Sequence, residues 1–324
     1  LSEYWPGGAE GAGHGTRCIP EGRGLVKPLR AIHYVMGTLL DCTLFDLPAE
    51  LGHSLLCQGI HEVRRLERLL STHDPDSALS QLNCQAGHGP VPVQPELWQL
   101  LVRCAALTWQ TQGAFDVGVG SLTLRQRQAE SVISAGVPCP AFCLPADGWV
   151  ELAPGACLDL GGIGKGYAVD QLIALFQAAR VPRAFINFGE SSLYALGEPL
   201  DARGWPILVR GLAAGEGLGV LWVRDAALST SHSLGRRLPT GASHIVDPRT
   251  GLSMQCPYLS TILAPSATLA EALSTAVLVS GAAWTEILAY FPEAEGLYVG
   301  PDGVLHCTAG LARCFEPCSE VGDA

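Results

Sequence analysis

The densest chemical signal in the chain is a lysine set among glycines, Leu158-Asp159-Leu160-Gly161-Gly162-Ile163-Gly164-Lys165-Gly166-Tyr167-Ala168-Val169-Asp170. Glycines in such a turn present backbone amides and carbonyls to a ligand with no Cβ in the way. Apolar residues then recur at three- and four-residue spacing (Ala168, Leu172, Leu175, Phe176, Ala179), which predicts a helix starting near Lys165. A helix N-terminus beside a lysine attracts phosphate, so the segment reads as a phosphate or nucleotide grip. Two familiar grips are excluded. A Walker A loop needs glycine where Asp159 stands and Ser or Thr where Gly166 stands, and the dinucleotide fingerprint fails because Gly162, Gly164 and Gly166 alternate at every second residue. Taken alone, the segment is a plain Gly-rich turn between a strand and a helix.

Three further groups could do chemistry, and each has an ordinary structural reading beside it. Glu271 and Thr275 lie four apart on a helix predicted from Thr268 to about Gly281, so both project from one face. Thr268-Leu269-Ala270-Glu271 equally fits a capping box, in which Glu271 only ties off the helix start. His244 precedes Ile245-Val246-Asp247-Pro248-Arg249-Thr250-Gly251, where a lone histidine ahead of an Asp-Pro turn is an ordinary surface or core residue. Met36 and Phe115 alone read as core packing, and Gly113 to Asp116 as a helix-ending turn.

In order along the chain, these segments resemble the ApbE family of flavin transferases. Met36-Gly37-Thr38 is similar to the family's opening Met-Gly-Thr strand, and Leu70-Ser71-Thr72-His73-Asp74-Pro75-Asp76-Ser77-Ala78-Leu79-Ser80-Gln81-Leu82-Asn83 to its S-T-Y-x-P-x-S-x-L-S-x-L-N segment. Gly113-Ala114-Phe115-Asp116 repeats G-A-F-D. His244 to Gly251 is similar to the H-I-x-D-P-x-T-G box, and Ala270-Glu271-Ala272-Leu273-Ser274-Thr275 to A-D-A-L-[AS]-T. The resemblance spans roughly residues 32 to 300.

The resemblance implies a reaction. A threonine hydroxyl on a target protein attacks the pyrophosphate of FAD, AMP leaves, and FMN stays on the threonine as a phosphoester. It implies a magnesium ion held by Glu271, Thr275 and the carbonyl of Gly162, a donor set of hard oxygens that suits magnesium. His244 becomes the candidate base, since a hydroxyl needs one at neutral pH and imidazole titrates near it. Lys165 would contact FAD phosphates or ring atoms and Asp159 would fix the nucleotide. Met36, His73, Ala114, Phe115, Asp116 and the backbone of Ile245 would line the flavin pocket. The partner would be a flavoprotein with an exposed Asp-Gly/Ser-x-Thr sequence. Rival readings are an FAD pyrophosphatase, which uses water as acceptor, a protein that carries FAD intact, and, more remotely, a redox enzyme using bound flavin. The chain departs from the family at His73 (usually tyrosine), at Glu271 (usually aspartate), at Gly189-Glu190-Ser191 (usually Gly-Gly-Asp), at Gly118 and Ser121, and at His232.

The elements that must position these groups are α+β: a single large ApbE-like domain over 31–320, of two closely joined lobes with mixed sheets and flanking helices, after a loose Gly- and Pro-rich arm at 1–30. Ile32 to Phe45 reads as a strand, 51–70 and 95–112 as helices, and Ala184 to Leu196 as a strand. Two short strands around a Gly-rich hairpin fall between Gly204 and Arg224. With 324 residues, 48% of them hydrophobic, the chain can bury a large core. A net charge of -11 argues against a nucleic-acid partner. No run of eighteen apolar residues appears, so no transmembrane segment is expected. The 12 cysteines are scattered without a C-x-x-C pair; most read as buried small hydrophobes, while Cys314 and Cys318 could pair. The cysteine content leans towards a reducing compartment such as the cytoplasm, and the resemblance towards a periplasmic or membrane-anchored protein; the compartment stays open.

Overall fold

The computed structural model describes residues 27–127, 140–199, 203–213, 215–234 and 243–318. Most of the expected arm thus lies outside the described residues, and its last two positions, Leu29 and Arg30, already belong to the first strand. The chain opens with β1 (Leu29–Val35) and β2 (Thr38–Phe45), then α1 (Ala49–Leu70), α2 (Ala78–Asn83), β3 (Val91–Pro92) and α3 (Pro95–Gln110). Next come α4 (Gly120–Arg127), β4 (Phe142–Ala146), β5 (Trp149–Leu152), α5 (Gly164–Ala178), β6 (Arg183–Phe188) and β7 (Ser192–Leu196). After these follow β8 (Trp205–Arg210), β9 (Gly217–Val223), β10 (Ala226–His232), β11 (Leu259–Ala264), α6 (Ala267–Ser280) and α7 (Trp284–Leu288). The last elements are β12 (Glu295–Val299), β13 (Leu305–Cys307), α8 (Ala309–Ala312) and β14 (Phe315–Pro317).

An eight-stranded sheet in the order β1-β2-β6-β7-β10-β11-β12-β13 forms the frame, and every strand pairing in it is antiparallel. This bears out the α+β expectation. Strand side chains alternate between faces, and here both faces are covered. One face receives α1, α5 and α6 around a core that includes Leu44, Val63, Leu172, Phe176, Leu273 and Val277. The other carries a three-stranded sheet, β14-β9-β8, whose Trp205, Ile207 and Leu221 pack on Leu193, Leu228 and Leu297. A second small sheet, β3-β5-β4, adds Val150 and Leu152 to the main core.

Two segments expected as single strands are hairpins. Ile32 to Phe45 folds back at Met36-Gly37, both with positive φ (49° and 74°), as a two-residue turn joining twisted strands requires. Ala184 to Leu196 folds back at Gly189-Glu190-Ser191, where Gly189 and Glu190 have φ of 66° and 58°, and Asn187 Oδ1 accepts the Glu190 N–H at 3.0 Å. The stretch Ala267–Leu288 is long and apolar enough by composition to cross a membrane, but it packs in the core around α6, with 72% of its most apolar eighteen-residue window buried.

The cysteines also depart from expectation. Cys42 and Cys104 are buried, and burial pushes their thiols up to about 12, but Cys57, Cys84, Cys143, Cys256 and Cys318 face solvent. Cys314 and Cys318 flank the extended strand β14, which holds their backbones roughly 13 Å apart at strand rise; that excludes a disulfide.

Candidate active site

The Gly-rich turn is held by side chains from distant parts of the chain. Asn83, the last residue of α2, pairs with it as a strand would: Nδ2 donates to Leu158 O (2.9 Å) and Oδ1 accepts from Leu158 N (2.8 Å). Asp159 donates its N–H to Val117 O (2.7 Å) and accepts from Gly161 N (2.9 Å) and the Thr123 hydroxyl (3.2 Å). It therefore shapes the turn from within, whatever it does for a nucleotide.

After the turn, α5 runs hard against the start of α6. A Cβ on Gly166 would overlap the Ala267 carbonyl, so only glycine permits this approach. One turn further on, Asp170 accepts from Ala267 N (2.7 Å), Thr268 N (3.0 Å) and the Thr268 hydroxyl, satisfying the unpaired donors of the α6 N-terminus. Ser266 is the N-cap, accepting from Leu269 N. The capping-box alternative for Glu271 is thereby excluded. The helix starts earlier than Thr268, Glu271 sits beyond the third helical position, and the Thr268 hydroxyl is taken by Asp170.

Glu271 instead turns towards α5. Its carboxylate is buried (4% exposed); Oε1 is paired with the Lys165 ammonium and Oε2 accepts the Gly166 N–H at 2.5 Å. Thr275 lies one turn along the same face, its hydroxyl 3.4 Å from the Glu271 carbonyl. A Cβ built on Gly162 would lie 3.8 Å from Thr275 Oγ1 and 3.5 Å from Phe115 Cε2, and one on Gly164 would lie 3.5 Å from Met36 Cε. The structure thus brings Met36, Phe115, Gly162, Lys165, Glu271 and Thr275 to one place. Glu271, Thr275 and the Gly162 backbone offer the hard oxygens a divalent cation takes, and the Lys165 ammonium shows that the carboxylate accepts a cation there. Among the described residues no group of three or more His, Cys, Asp or Glu side chains forms a metal cluster, so an ion bound here would complete its shell from water or phosphate.

Ala114 and Phe115 are buried in the main core, as the packing alternative has it, yet the Phe115 ring edge reaches the Gly-rich turn. Gln112 and Gly113, both at positive φ, end α3 and re-aim the chain. Asp116 accepts the Gly118 N–H at 2.7 Å, and burial raises its carboxyl above the usual carboxylate range. Met36 is fixed through its N–H, which donates to Glu67 Oε1 at 2.6 Å.

The box around His244 is built differently. His244 is exposed while Ile245 is buried. Asp247 organises the turn, donating its N–H to Leu252 O (2.9 Å) and accepting Gly251 N–H at its carbonyl (2.8 Å). Arg249 makes two bonds to the Asp247 carboxylate (2.9 and 3.0 Å), reaches Val279 O at the end of α6 (3.3 Å), and lays its stem 3.4 Å from where a Gly113 Cβ would be. It ties the box to α6 and to the Gly113–Asp116 turn. His73 is exposed on the loop between α1 and α2, its N–H donating to Ser71 Oγ (3.0 Å). Sequence reasoning missed Asn83, Asp170 and Arg249 as positioning residues. Asn83 and Arg249 stand inside the segments that carried the resemblance, and Asp170 closes the Gly-rich segment; that was the available signal.

The sequence profile of the ApbE family matches residues 36–297. FAD:protein FMN transferase of Treponema pallidum (strain Nichols) is 29% identical over 336 aligned positions, covering 90% of this chain and 89% of the relative. The crystal structure of the ApbE protein of Thermotoga maritima superposes with a TM-score of 0.80 at 22% identity, over 90% of this chain and 100% of that one. The flavin transferase ApbE from Vibrio cholerae superposes at 0.78 and 19% identity, over 89% and 99%. With the fold, the ordered segments and the profile in agreement, the chain belongs to the ApbE family and is a transferase.

Proposed function

We propose that the protein transfers FMN from FAD to a threonine hydroxyl of a target flavoprotein, releasing AMP, with magnesium as the metal. The observation that carries this reading is the convergence of Lys165, Glu271, Thr275 and Gly162 at the N-terminus of α5. That terminus attracts phosphate through its dipole, and the Lys165 ammonium adds a full positive charge. Glu271, Thr275 and the Gly162 backbone would hold the ion, which when bound neutralises charge on the phosphates.

The protein's own residues do the rest. Lys165 and the α5 N-terminus bind the diphosphate, and Asp159 keeps the turn open towards the nucleotide. Met36, Ala114, Phe115, Asp116, Ile245 and His73 line the flavin. His244, the exposed first residue of its box, takes the threonine proton as the threonine oxygen bonds to the FMN phosphorus. The bond from that phosphorus to the bridging oxygen breaks, and AMP leaves with the electron pair. The exposure of His244 gives a protein acceptor access to the base.

Intact-mass analysis of a carrier bearing an Asp-Gly-x-Thr sequence, incubated with the protein, FAD and magnesium while AMP is followed, tests the reading. An FMN adduct matched by AMP, lost with chelator and with His244→Ala, is the expected result. AMP and free FMN without an adduct would instead support hydrolysis with water as acceptor. FAD that stays intact would sink the enzymatic proposal.

A further inference from the structure

The chain carries 20 cationic side chains, and all but two are arginine; the lysines are Lys27 and Lys165. Lys27 is exposed near the start of the described residues, and Lys165 sits on a buried glutamate. Arginine binds carboxylates through a rigid two-pronged fork, whereas lysine is a compact point charge on a flexible stem. A chain that uses arginine nearly everywhere has placed its displaceable cation at this carboxylate.

Both Glu271 oxygens are occupied. Oε2 is held by the Gly166 N–H, and that backbone cannot retreat because α5 is pressed on Ala267 with no room for even a Cβ. Oε1 is held by Lys165, whose side chain is 22% exposed and has a path outward. A buried carboxylate needs a compensating charge, and Lys165 supplies it. A divalent cation that takes Glu271 as a ligand therefore competes with Lys165 and not with Gly166. We infer that Lys165 is a built-in counter-ion, which keeps Glu271 folded inward until a divalent cation replaces it and is then released towards the Gly-rich turn. The exchange of one cation for another rests on the geometry alone. The destination of the freed ammonium, the substrate diphosphate, rests on the flavin-transfer reading.

The test uses Mn2+ as probe, on the full chain, with neither flavin nor acceptor present. Electron paramagnetic resonance of free Mn2+ gives the affinity of the wild type, of Lys165→Met and of Lys165→Arg. The expected result is Mn2+ binding at least tenfold tighter in Lys165→Met, about 1.4 kcal/mol, and no tightening in Lys165→Arg, which keeps the charge. Unchanged or weaker binding in Lys165→Met overturns the inference. Should Lys165→Met fail to fold, the wild type answers by amine labelling. Mass spectrometry should show acetylation of Lys165 rising with Mn2+ while that of Lys27, the internal reference, stays constant. Labelling of Lys165 that ignores Mn2+ overturns the inference as well. Neither readout depends on turnover, so failure here leaves the transferase reading standing, and failure of transfer leaves this one standing.

Discussion

The two sides of the candidate site are built in opposite ways. On the α5–α6 side the functional groups are part of the core: Glu271 and Gly166 are buried, Asp170 closes the helix start, and α5 has no clearance from the Ala267 backbone. On the other side, His244 and His73 stand exposed on loops that short polar turns organise. The contrast matches what the proposed reaction asks of each side. Charged groups that would grip a diphosphate act most strongly from a rigid, low-dielectric mount, whereas a base serving a protein acceptor would have to be reachable from outside. Changes on the α5–α6 side should therefore cost stability, and changes on the loop side should cost only chemistry.

The largest expected effect breaks the comparison on its loop side. His244→Ala should lower transfer by roughly 10²–10⁴-fold, while its unfolding free energy stays within about 0.5 kcal/mol of wild type. Single-turnover adduct formation and thermal unfolding, measured on the same sample, check both halves. Next comes the packed side. Gly166→Ala should destabilise by on the order of 3 kcal/mol, because the methyl meets backbone and not a side chain that can swing away. Its melting temperature should fall by roughly 4–5 °C; a wild-type value would mean that α5 and α6 can separate cheaply. Asp170→Ala strips the acceptor from three donors at the start of α6 and should cost about 2 kcal/mol by denaturant titration.

The smallest effect sharpens the comparison at Asp116, on the turn between α3 and α4. Burial raises its folded pKa, so the stability it lends is complete in acid, below the unfolded value of about 3.9, and is lost as pH rises through the folded value. Asp116→Asn should therefore raise the melting temperature by a few degrees or less at pH 7 and by less near pH 4. A larger gain in acid than at neutrality would contradict that sign.

How far the sequence spoke depended on the range of each interaction. The start of α5 was legible because glycine spacing and an apolar stripe are local signals, and α1, α3 and α6 fell within a few residues of expectation for the same reason. The hairpin at Met36-Gly37 was not legible, because methionine at positive φ does not announce a turn as asparagine would. The capping-box alternative could not be dismissed from the sequence, since its exclusion comes from Ser266, which captures the cap, and from Asp170, 98 residues before Thr268, which captures the hydroxyl. The Lys165–Glu271 pair, 106 residues apart, left no local trace at all. The candidate residues could be named from their motifs, but the contacts that decide what each can do are long-range and appear only in the fold.

Two glycines, Gly162 in the Gly-rich turn and Gly166 in the first turn of α5, put the central claim to its most direct test. Gly166 serves the fold, whereas a methyl on Gly162 would meet only ordinary contacts, 3.5 Å from Phe115 and 3.8 Å from the Thr275 hydroxyl. The decisive measurement is FMN transfer by Gly162→Ala alongside its melting temperature. The account predicts a melting temperature within about 2 °C of wild type and transfer reduced at least about a hundredfold, because the methyl fills the space that phosphate and ion must share. Wild-type transfer by a normally folded Gly162→Ala would contradict it and move the reaction away from the Gly-rich turn.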